Sequence, residues 1–577
     1  MKPPTLTTIR CWLFGALALG CAIASSPLLH ALNRQRADLN LTPFTMTTDL
    51  PPEIVGPAMA LGPFRAIFID MLWMRAIALQ DRGEYFELVQ LYDWISKLEP
   101  RFPLVWEYMA WNFAYNISVK FPVPQKPDAP LAQEADPRGM RWQWVNRGIE
   151  TLRDSGIRYN PRAYTLYREL AWLYSHKIGQ TADDAHVYYK VMLAMQMEAA
   201  IGLPPYLARL RAIAAAPFTE AELLSDPALA ALVGRLRDAG IDPFAKPLDV
   251  ANRSTDLPAA ARTALDAPDQ AALVARLDAF LRAQYLRRTL QLDPARMVQL
   301  MERYGPVEVP GKVLSVDWRL PDAHALYWAN LSLEVAALAL DREQAVNADR
   351  IQFHSLANLY RRGRLLVRPP EPGKPPTWIA SPNFDFLDRI VKLHQADLDF
   401  FKGPGEVPYH EGYLNFLREV IVDLYLSDKV SRAAHFHKML KDIGPEPKNQ
   451  TLDEFILGRW NEIAKTLNTE QCTKFLQEIY FRAYYWASLG DLDQAAGQER
   501  LAQLLARVYQ RERPHLPLPP LREIRRAALR QALRIFQDFQ VQRLRETYPQ
   551  DVKYAEAEIE KEREAPQPPK GPPAPPK

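Results

Sequence analysis

Cysteine is scarce in this sequence, with three copies in 577 residues. Cys11 and Cys21 lie in an apolar N-terminal segment, which leaves Cys472 as the single cysteine of the remaining chain. Cys472 therefore has no internal disulfide partner, and zinc cages of the C-x-x-C type are excluded. We expect Cys472 to be a small, buried apolar residue.

The sequence also lacks an excess of one charge and a supply of glycine. Its 71 basic and 68 acidic residues give a net charge of +3, which argues against nucleic acid as a partner. It has 24 glycines but 50 prolines. Few glycines and long runs of Ala, Leu, Arg and Glu favour helices, with the prolines between them. A chain of this length predicts two or more domains or an extended repeat array.

Common catalytic and cofactor motifs are missing as well. The sequence has no G-x-x-x-x-G-K-[ST], no G-x-S-x-G and no H-E-x-x-H. His435 and His437 would point about 200° apart on a helix, so they cannot share a metal. Asp183 opens a helix in "DDAH" and is predicted to cap it. We therefore assign no catalytic, cofactor-binding or metal-binding residue, although a helical array can support an active site without a recognisable motif.

The N-terminus carries the clearest local signal. Cys11–Ala24 is strictly apolar and has the length of a signal peptide. Extended to Leu32, the run would reach about 30 Å as a helix, enough to cross a bilayer. Residues 22–24, A-I-A, form a cleavage pattern. We assign 1–33 to a signal-anchor or transmembrane segment and prefer an uncleaved anchor.

Three alternatives stay open for this segment: a cleaved signal peptide, a lipoprotein signal and a buried helix. The lipoprotein interpretation depends on Cys21, but bacterial lipoboxes usually have leucine three residues earlier, where this chain has Ala18. Basic residues are balanced on the two sides of the segment. Because an N-terminal segment of this kind usually leaves the large C-terminal part outside the cytoplasm, we predict a single-pass protein with an extracytoplasmic or periplasmic domain.

After an extended linker, 34–62, the pattern becomes helical. The stretch from Gly83 to Pro100, "GEYFELVQLYDWISKLEP", resembles the second half of a tetratricopeptide repeat, whose period is 34 residues. Trp106 and Tyr167 fall at the large position near the start of such a repeat. They are 61 residues apart, and a proline-rich insertion that begins at Phe121 accounts for the excess.

A further copy of the pattern lies nearer the C-terminus. "LWMRAIALQDRGEYFELV" from Leu72 parallels "IYFRAYYWASLGDLDQAA" from Ile479, with Gly83 and Gly490 at the same offset. The resemblance is good over about 70–200, partial around 285–360 and fair over 479–510. It implies stacked helical hairpins, because one hairpin cannot bury its apolar face alone.

We predict an all-α fold, a tetratricopeptide-like α-solenoid with proline-rich insertions and at most a small β-hairpin within those insertions. The last 12 residues contain seven prolines and predict a disordered or polyproline tail. The predicted division after the linker is 63–215 for helical repeats, 216–270 for an alanine-rich insertion, 271–545 for a second helical region and 546–577 for a charged, then proline-rich tail.

The resemblance also implies a binding surface, because the first helix of each tetratricopeptide pair lines the concave face. The candidate residues are Glu107, Trp111 and Tyr115 in one repeat and Arg168, Trp172 and His176 in the next. They suit an extended peptide, since aromatic and arginine side chains dominate interface energetics. The alternative is that Glu107 and Arg168 pair with each other and that both tryptophans pack under the 122–140 insertion.

A basic amphipathic helix is predicted in "LREIRRAALRQALRIFQDFQVQRLRE". Arg522, Arg526, Arg530 and Arg534 recur every four residues, opposite an apolar stripe. We expect this helix to cap the solenoid with a solvated basic face. The alternative is a contact with an acidic partner or with anionic lipid head groups.

Two classes of function agree with these patterns. The first is a membrane-anchored helical-repeat scaffold that mediates protein–protein interaction outside the cytoplasm, with a protein or peptide as its partner. The second is an exported enzyme, for example one acting on cell-wall glycan, whose solenoid supports an unrecognised active site. A deep pocket with convergent carboxylates would favour the enzyme, and an open groove lined by aromatic residues and mixed charges would favour the scaffold.

Overall fold

A computed structural model describes residues 64–123, 136–305, 316–338, 342–368, 377–400, 406–536 and 538–564, together with isolated positions between 14 and 35. Most of the predicted anchor, the linker 34–62 except for isolated positions, and the proline-rich tail lie outside the described residues. None of the helices that are described is long and apolar enough to cross a membrane. Helices make up about 79% of the structure, so the predicted all-α class is confirmed.

The chain forms two compact units, Met1–Ile390 and Val391–Lys577. The first unit begins with five stacked helices: α1 Arg65–Arg82, α2 Tyr85–Leu98, α3 Pro103–Trp111, α4 Pro137–Glu150 and α5 Tyr164–Trp172. Three of them continue as π-helical turns of six residues: Asn112–Ile117 after α3, Thr151–Gly156 after α4 and Leu173–Ile178 after α5. The first π turn leads into a 3₁₀ turn, Ser118–Lys120, and the second into a last α-helical turn, Ile157–Tyr159.

Local sequence signals set the ends of these helices. Gly83 ends α1 with a φ of 74°, a left-handed conformation that glycine adopts without steric cost. Asp136 caps α4 by accepting a hydrogen bond from the Arg138 N–H at 3.0 Å. Gly148 on α4 lets the backbones of α3 and α4 meet, since a Cβ there would lie 2.9 Å from the Ala110 carbonyl oxygen.

The helix that packs beside α5 comes from far along the chain. After α5 the chain builds eight helices: α6 His186–Ile201, α7 Leu207–Ala214, α8 Glu220–Leu224, α9 Pro227–Asp238, α10 Pro247–Ala251, α11 Ala259–Asp266, α12 Ala271–Gln284 and α13 Pro294–Tyr304. A 3₁₀ turn, Pro268–Gln270, precedes α12, and a π-helical turn, Tyr285–Thr289, follows it. The next helix, α14 (Pro321–Leu338), returns to pack along α5, and the Ser332 hydroxyl donates to the Tyr164 carbonyl at 2.9 Å.

Helix α15 (Arg342–Arg362) packs on α14 and also contacts α5. It leads into a two-stranded antiparallel hairpin, β1 Arg364–Arg368 and β2 Thr377–Ser381. The hairpin lies in a proline-rich insertion, as predicted. A 3₁₀ turn, Phe384–Phe386, precedes α16 (Leu387–Phe400), which runs across the division between the two units.

The second unit is also helical: α17 Glu406–Leu426, α18 Val430–Ile443, α19 Leu452–Thr466, α20 Thr469–Ser488, α21 Leu492–Glu512, α22 Leu521–Ile535, α23 Asp538–Thr547 and α24 Pro549–Glu564. Cys472 is fully buried in its core, as expected, and burial raises the pKa of this thiol to about 11. Helix α24 lies within the segment that we assigned to the tail. Its Val552 and Ala555 are buried in the same core.

Candidate functional site

Helices α3 and α5 begin in the same way. The Trp106 indole N–H donates to the Pro100 carbonyl at 2.8 Å. The Tyr167 hydroxyl donates to the Pro161 carbonyl at 2.9 Å. In each case the side chain of a large aromatic residue donates a hydrogen bond to the backbone carbonyl of the proline six residues earlier. The starts of the two helices are therefore built alike, and the residues that follow Trp106 and Tyr167 can be compared pairwise.

The four aromatic residues of the predicted groove form a continuous ladder. Trp111 stacks on Tyr115 with ring centres 4.2 Å apart, and Trp172 stacks on His176 at 4.7 Å. The Tyr115 hydroxyl and the His176 Nδ1 share a hydrogen bond of 3.0 Å that joins the two pairs. We call Trp111, Tyr115, His176 and Trp172 the aromatic ladder.

The ladder has two exposed ends and a more buried middle. The exposed fraction is 42% for Trp111 and 36% for Trp172, whereas Tyr115 and His176 are partly buried. Burial and the nearby Lys177 ammonium lower the pKa of His176, so the imidazole is neutral near pH 7. An uncharged middle with two exposed indoles suits contact with apolar and aromatic side chains.

Two of the four π-helical turns in the described residues start directly after an exposed tryptophan of the ladder, Trp111 or Trp172. Tyr115 lies in the turn Asn112–Ile117 and His176 in the turn Leu173–Ile178. π-helical turns are uncommon and are often found at functional sites. Their presence at the same offset after Trp106 and after Tyr167 was not visible in the sequence pattern.

A buried ionic cluster packs against the Tyr115 ring of the ladder. The Lys177 ammonium lies 5.0 Å from the centre of the Tyr115 ring and 2.6 Å from an Asp183 carboxylate oxygen. Asp183 also accepts from Arg141 at 2.9 Å and from the Ala185 N–H at 2.8 Å. The predicted capping role of Asp183 is wrong, because the N-cap of α6 is Ala185 and no side chain caps this helix. Burial opposes the ionisation of Asp183, but Lys177 and Arg141 hold its pKa below the usual value. The cluster thus fixes the turn that carries His176.

The acidic and basic residues of the predicted groove, Glu107 on α3 and Arg168 on α5, are partly buried. Burial, and then the nearby Glu107 carboxylate, raises the pKa of Glu169 to about 7, while Arg168 opposes this rise. Glu107 and Arg168 thus both act on Glu169, a residue that the sequence analysis did not select. Glu169 follows Arg168 directly on α5, and its role depends on a neighbour from α3.

A cavity of about 720 Å³ lies next to the ladder, between α5 and α15. Its described wall consists of Arg168, Glu169, Trp172 and Ser175 from α5 and its π turn, Gln180, and Asn347, Arg350, Ile351, His354, Asn358 and Arg361 from α15. The sequence pattern had selected Arg168 and Trp172. The α15 residues were missed because no local pattern shows that α15 reaches α5.

At least two of the four selected arginines on the basic helix α22 contact side chains of another helix. Arg522 and Arg534 are exposed, but the Arg526 guanidinium lies 3.7 Å from the centre of the Tyr554 ring, and Arg530 pairs with Glu558. Both partners belong to α24. Contact of these four arginines with an anionic surface stays a prediction.

Within the described residues, no group of three or more His, Cys, Asp or Glu side chains could hold a metal ion. Comparison of the chain with protein-family models, with curated proteins and with solved structures gives no significant match.

Proposed function

We propose that this protein is a tetratricopeptide-like scaffold whose α3 and α5 face binds an extended segment of a partner protein. The observation that carries the proposal is the aromatic ladder, in which four residues at equivalent repeat positions meet. The ladder has two exposed tryptophans, one of which, Trp172, also lines a cavity with mixed charges. This combination has the composition of a peptide groove.

Membrane attachment is the second part of the proposal and is supported by the sequence alone. The apolar run from Cys11 to Leu32 would hold the scaffold at a membrane, with its helical units outside the cytoplasm. Deletion of residues 1–33 should move the protein from the membrane pellet to the supernatant while its helical circular dichroism signal stays unchanged. A full-length protein that fractionates as soluble, with a mature end at Ser25, would contradict the anchor.

The groove is tested by Trp111→Ala in the full-length protein. A partner captured from detergent-solubilised membranes is identified and then titrated against the wild type and the variant. We expect a loss of about 2 kcal/mol in binding free energy, typical of an interface hot spot.

Trp94→Ala is the matched control, because Trp94 lies on α2, outside the ladder, and is 54% exposed. Equal affinities for the wild type and Trp111→Ala would refute the groove. A large drop in melting temperature for Trp111→Ala would show that this tryptophan is core.

One observation favours the alternative of an exported enzyme. Glu169 lies close enough to Glu107 for the like charge to help raise its pKa to about 7, and a raised carboxyl pKa beside a second carboxylate is what a glycosidase general acid needs. Loss of cell-wall glycan hydrolysis in Glu169→Gln, measured as released reducing ends, would favour this alternative over the scaffold.

A further inference from the structure

Among the described residues that line the cavity beside the ladder, arginines outnumber carboxylates. Three guanidinium groups line it, from Arg168, Arg350 and Arg361, and Glu169 supplies the one carboxylate among the described lining residues. Partial removal from water, and then Arg350 and Arg361, lower the pKa of His354, which lines the same cavity. The imidazole is therefore neutral near pH 7, and the arginines determine the sign of the local field. Such a cavity favours an anionic group.

The α15 wall of this cavity is held in place by a chain of hydrogen bonds. The Arg361 guanidinium donates to the Asn358 side-chain oxygen at 3.0 Å, and the Asn358 amide donates to the Asp322 carboxylate at 2.9 Å. Asp322 is completely buried. A guanidinium that is already oriented loses less conformational freedom when it binds a carboxylate.

Trp172 belongs to both the ladder and the cavity wall. A segment that crosses this face meets an indole surface and, directly beside it, the arginine-lined space. The cavity volume of about 720 Å³ exceeds what one carboxylate needs and has room for neighbouring side chains of the same segment.

We propose, on the basis of the scaffold function above, that the bound segment carries an acidic side chain that enters the cavity between α5 and α15. A neighbouring aromatic or aliphatic side chain of the segment packs on Trp172. Arg350 and Arg361 contact the acidic group from α15, and Arg168 contacts it from α5. The ligand class is therefore an extended peptide with Asp or Glu next to a large apolar residue.

The experiment selects peptides with the full-length protein from a phage library in which random segments are displayed internally and so have no free end. Enriched peptides should carry Asp or Glu next to a large apolar residue.

The affinities of the enriched peptides for the wild type, Trp172→Ala and the double variant Arg350→Glu/Arg361→Glu are then measured by fluorescence polarisation. We expect at least a tenfold loss for the double variant, and partial recovery when the peptide acid is replaced by lysine. Arg262→Glu is the matched control, since Arg262 is exposed on α11, a helix that contributes no residue to the cavity.

The outcomes separate the two proposals. Peptides that need Trp172 but show no acidic preference would overturn the acidic ligand and leave the scaffold standing. If none of the enriched peptides loses affinity for Trp172→Ala, the scaffold function fails as well. Should the double variant unfold, replacement of the peptide acid by its amide, tested on the wild type, decides the question, because an unchanged affinity would refute the charge contact.

Discussion

Helix α5 carries one arginine, Arg168, and α22 carries several, and the helices that pack beside them surround these arginines differently. Beside α5, α15 adds two further arginines, Arg350 and Arg361, to the wall of a cavity of about 720 Å³. Beside α22, α24 adds Tyr554 and Glu558, which cover Arg526 and Arg530. The smaller cavity there, about 370 Å³, also contains Asp551. An arginine on a helix surface thus belongs to a candidate binding surface or to an internal contact according to the helix that packs beside it.

The two regions also differ in how deeply their ion pairs are buried. Around the ladder, Asp183 and Lys177 have side chains that are 5% and 4% exposed. Near α22, the pair between Arg530 and Glu558 keeps 26% and 31% of its side-chain surface exposed. Breaking a buried pair leaves an uncompensated charge away from water, whereas a half-exposed pair is replaced by hydration.

The largest effect should come from breaking these two pairs. Asp183→Asn leaves Arg141 and Lys177 buried without their counter-charge, so we expect a loss of about 3 to 5 kcal/mol in the free energy of unfolding. Glu558→Gln should cost less than about 1 kcal/mol. Urea denaturation followed by circular dichroism measures both. Similar losses of unfolding free energy for the two variants, or a larger loss for Glu558→Gln, would contradict the inferred difference between the buried and the more exposed ion pair.

Local pattern was enough to predict the helical class, and the tetratricopeptide resemblance supplied the offsets that selected the candidate groove residues. An offset of one, five or nine residues from Trp106 and Tyr167 decides which face of a helix a residue occupies, and this offset brought Trp111 and Trp172 into one surface. Face and spacing are local properties, so they can be read from sequence.

The partners of those faces could not be predicted in the same way. Helix α14 packs on α5 although Ser332 and Tyr164, which share a hydrogen bond, are 168 residues apart. Helix α24 covers α22 although its composition predicted a tail. Long-range packing depends on how whole surfaces fit together, and a single sequence does not show which surface will meet which. Glu169 and the α15 arginines became visible only after that packing was known.

A smaller effect should distinguish the carboxylate of the groove from ordinary surface carboxylates. The Glu169 pKa of about 7 in the folded protein lies above the usual value of about 4.3 for an unfolded chain. The folded state therefore binds more protons between these values, and the contribution of Glu169 to stability is complete at low pH and is lost as pH rises through 7. Glu169→Gln should thus be more stable than the wild type by about 3 to 4 kcal/mol at pH 8.5 and nearly equal to it at pH 4.

Urea denaturation at the two pH values measures this difference, and two further variants locate its cause. Glu107→Gln removes the like charge that helps to raise the pKa, so it should give a smaller gain at pH 8.5. Glu87→Gln is the control, because the Glu87 side chain is 58% exposed and pairs with Arg75 on the surface; it should show no gain at either pH. If Glu169→Gln were less stable than the wild type at pH 8.5, the Glu169 carboxylate would be held by the arginines as firmly as Glu558 is held by Arg530. The contrast between the two arginine surfaces would then disappear.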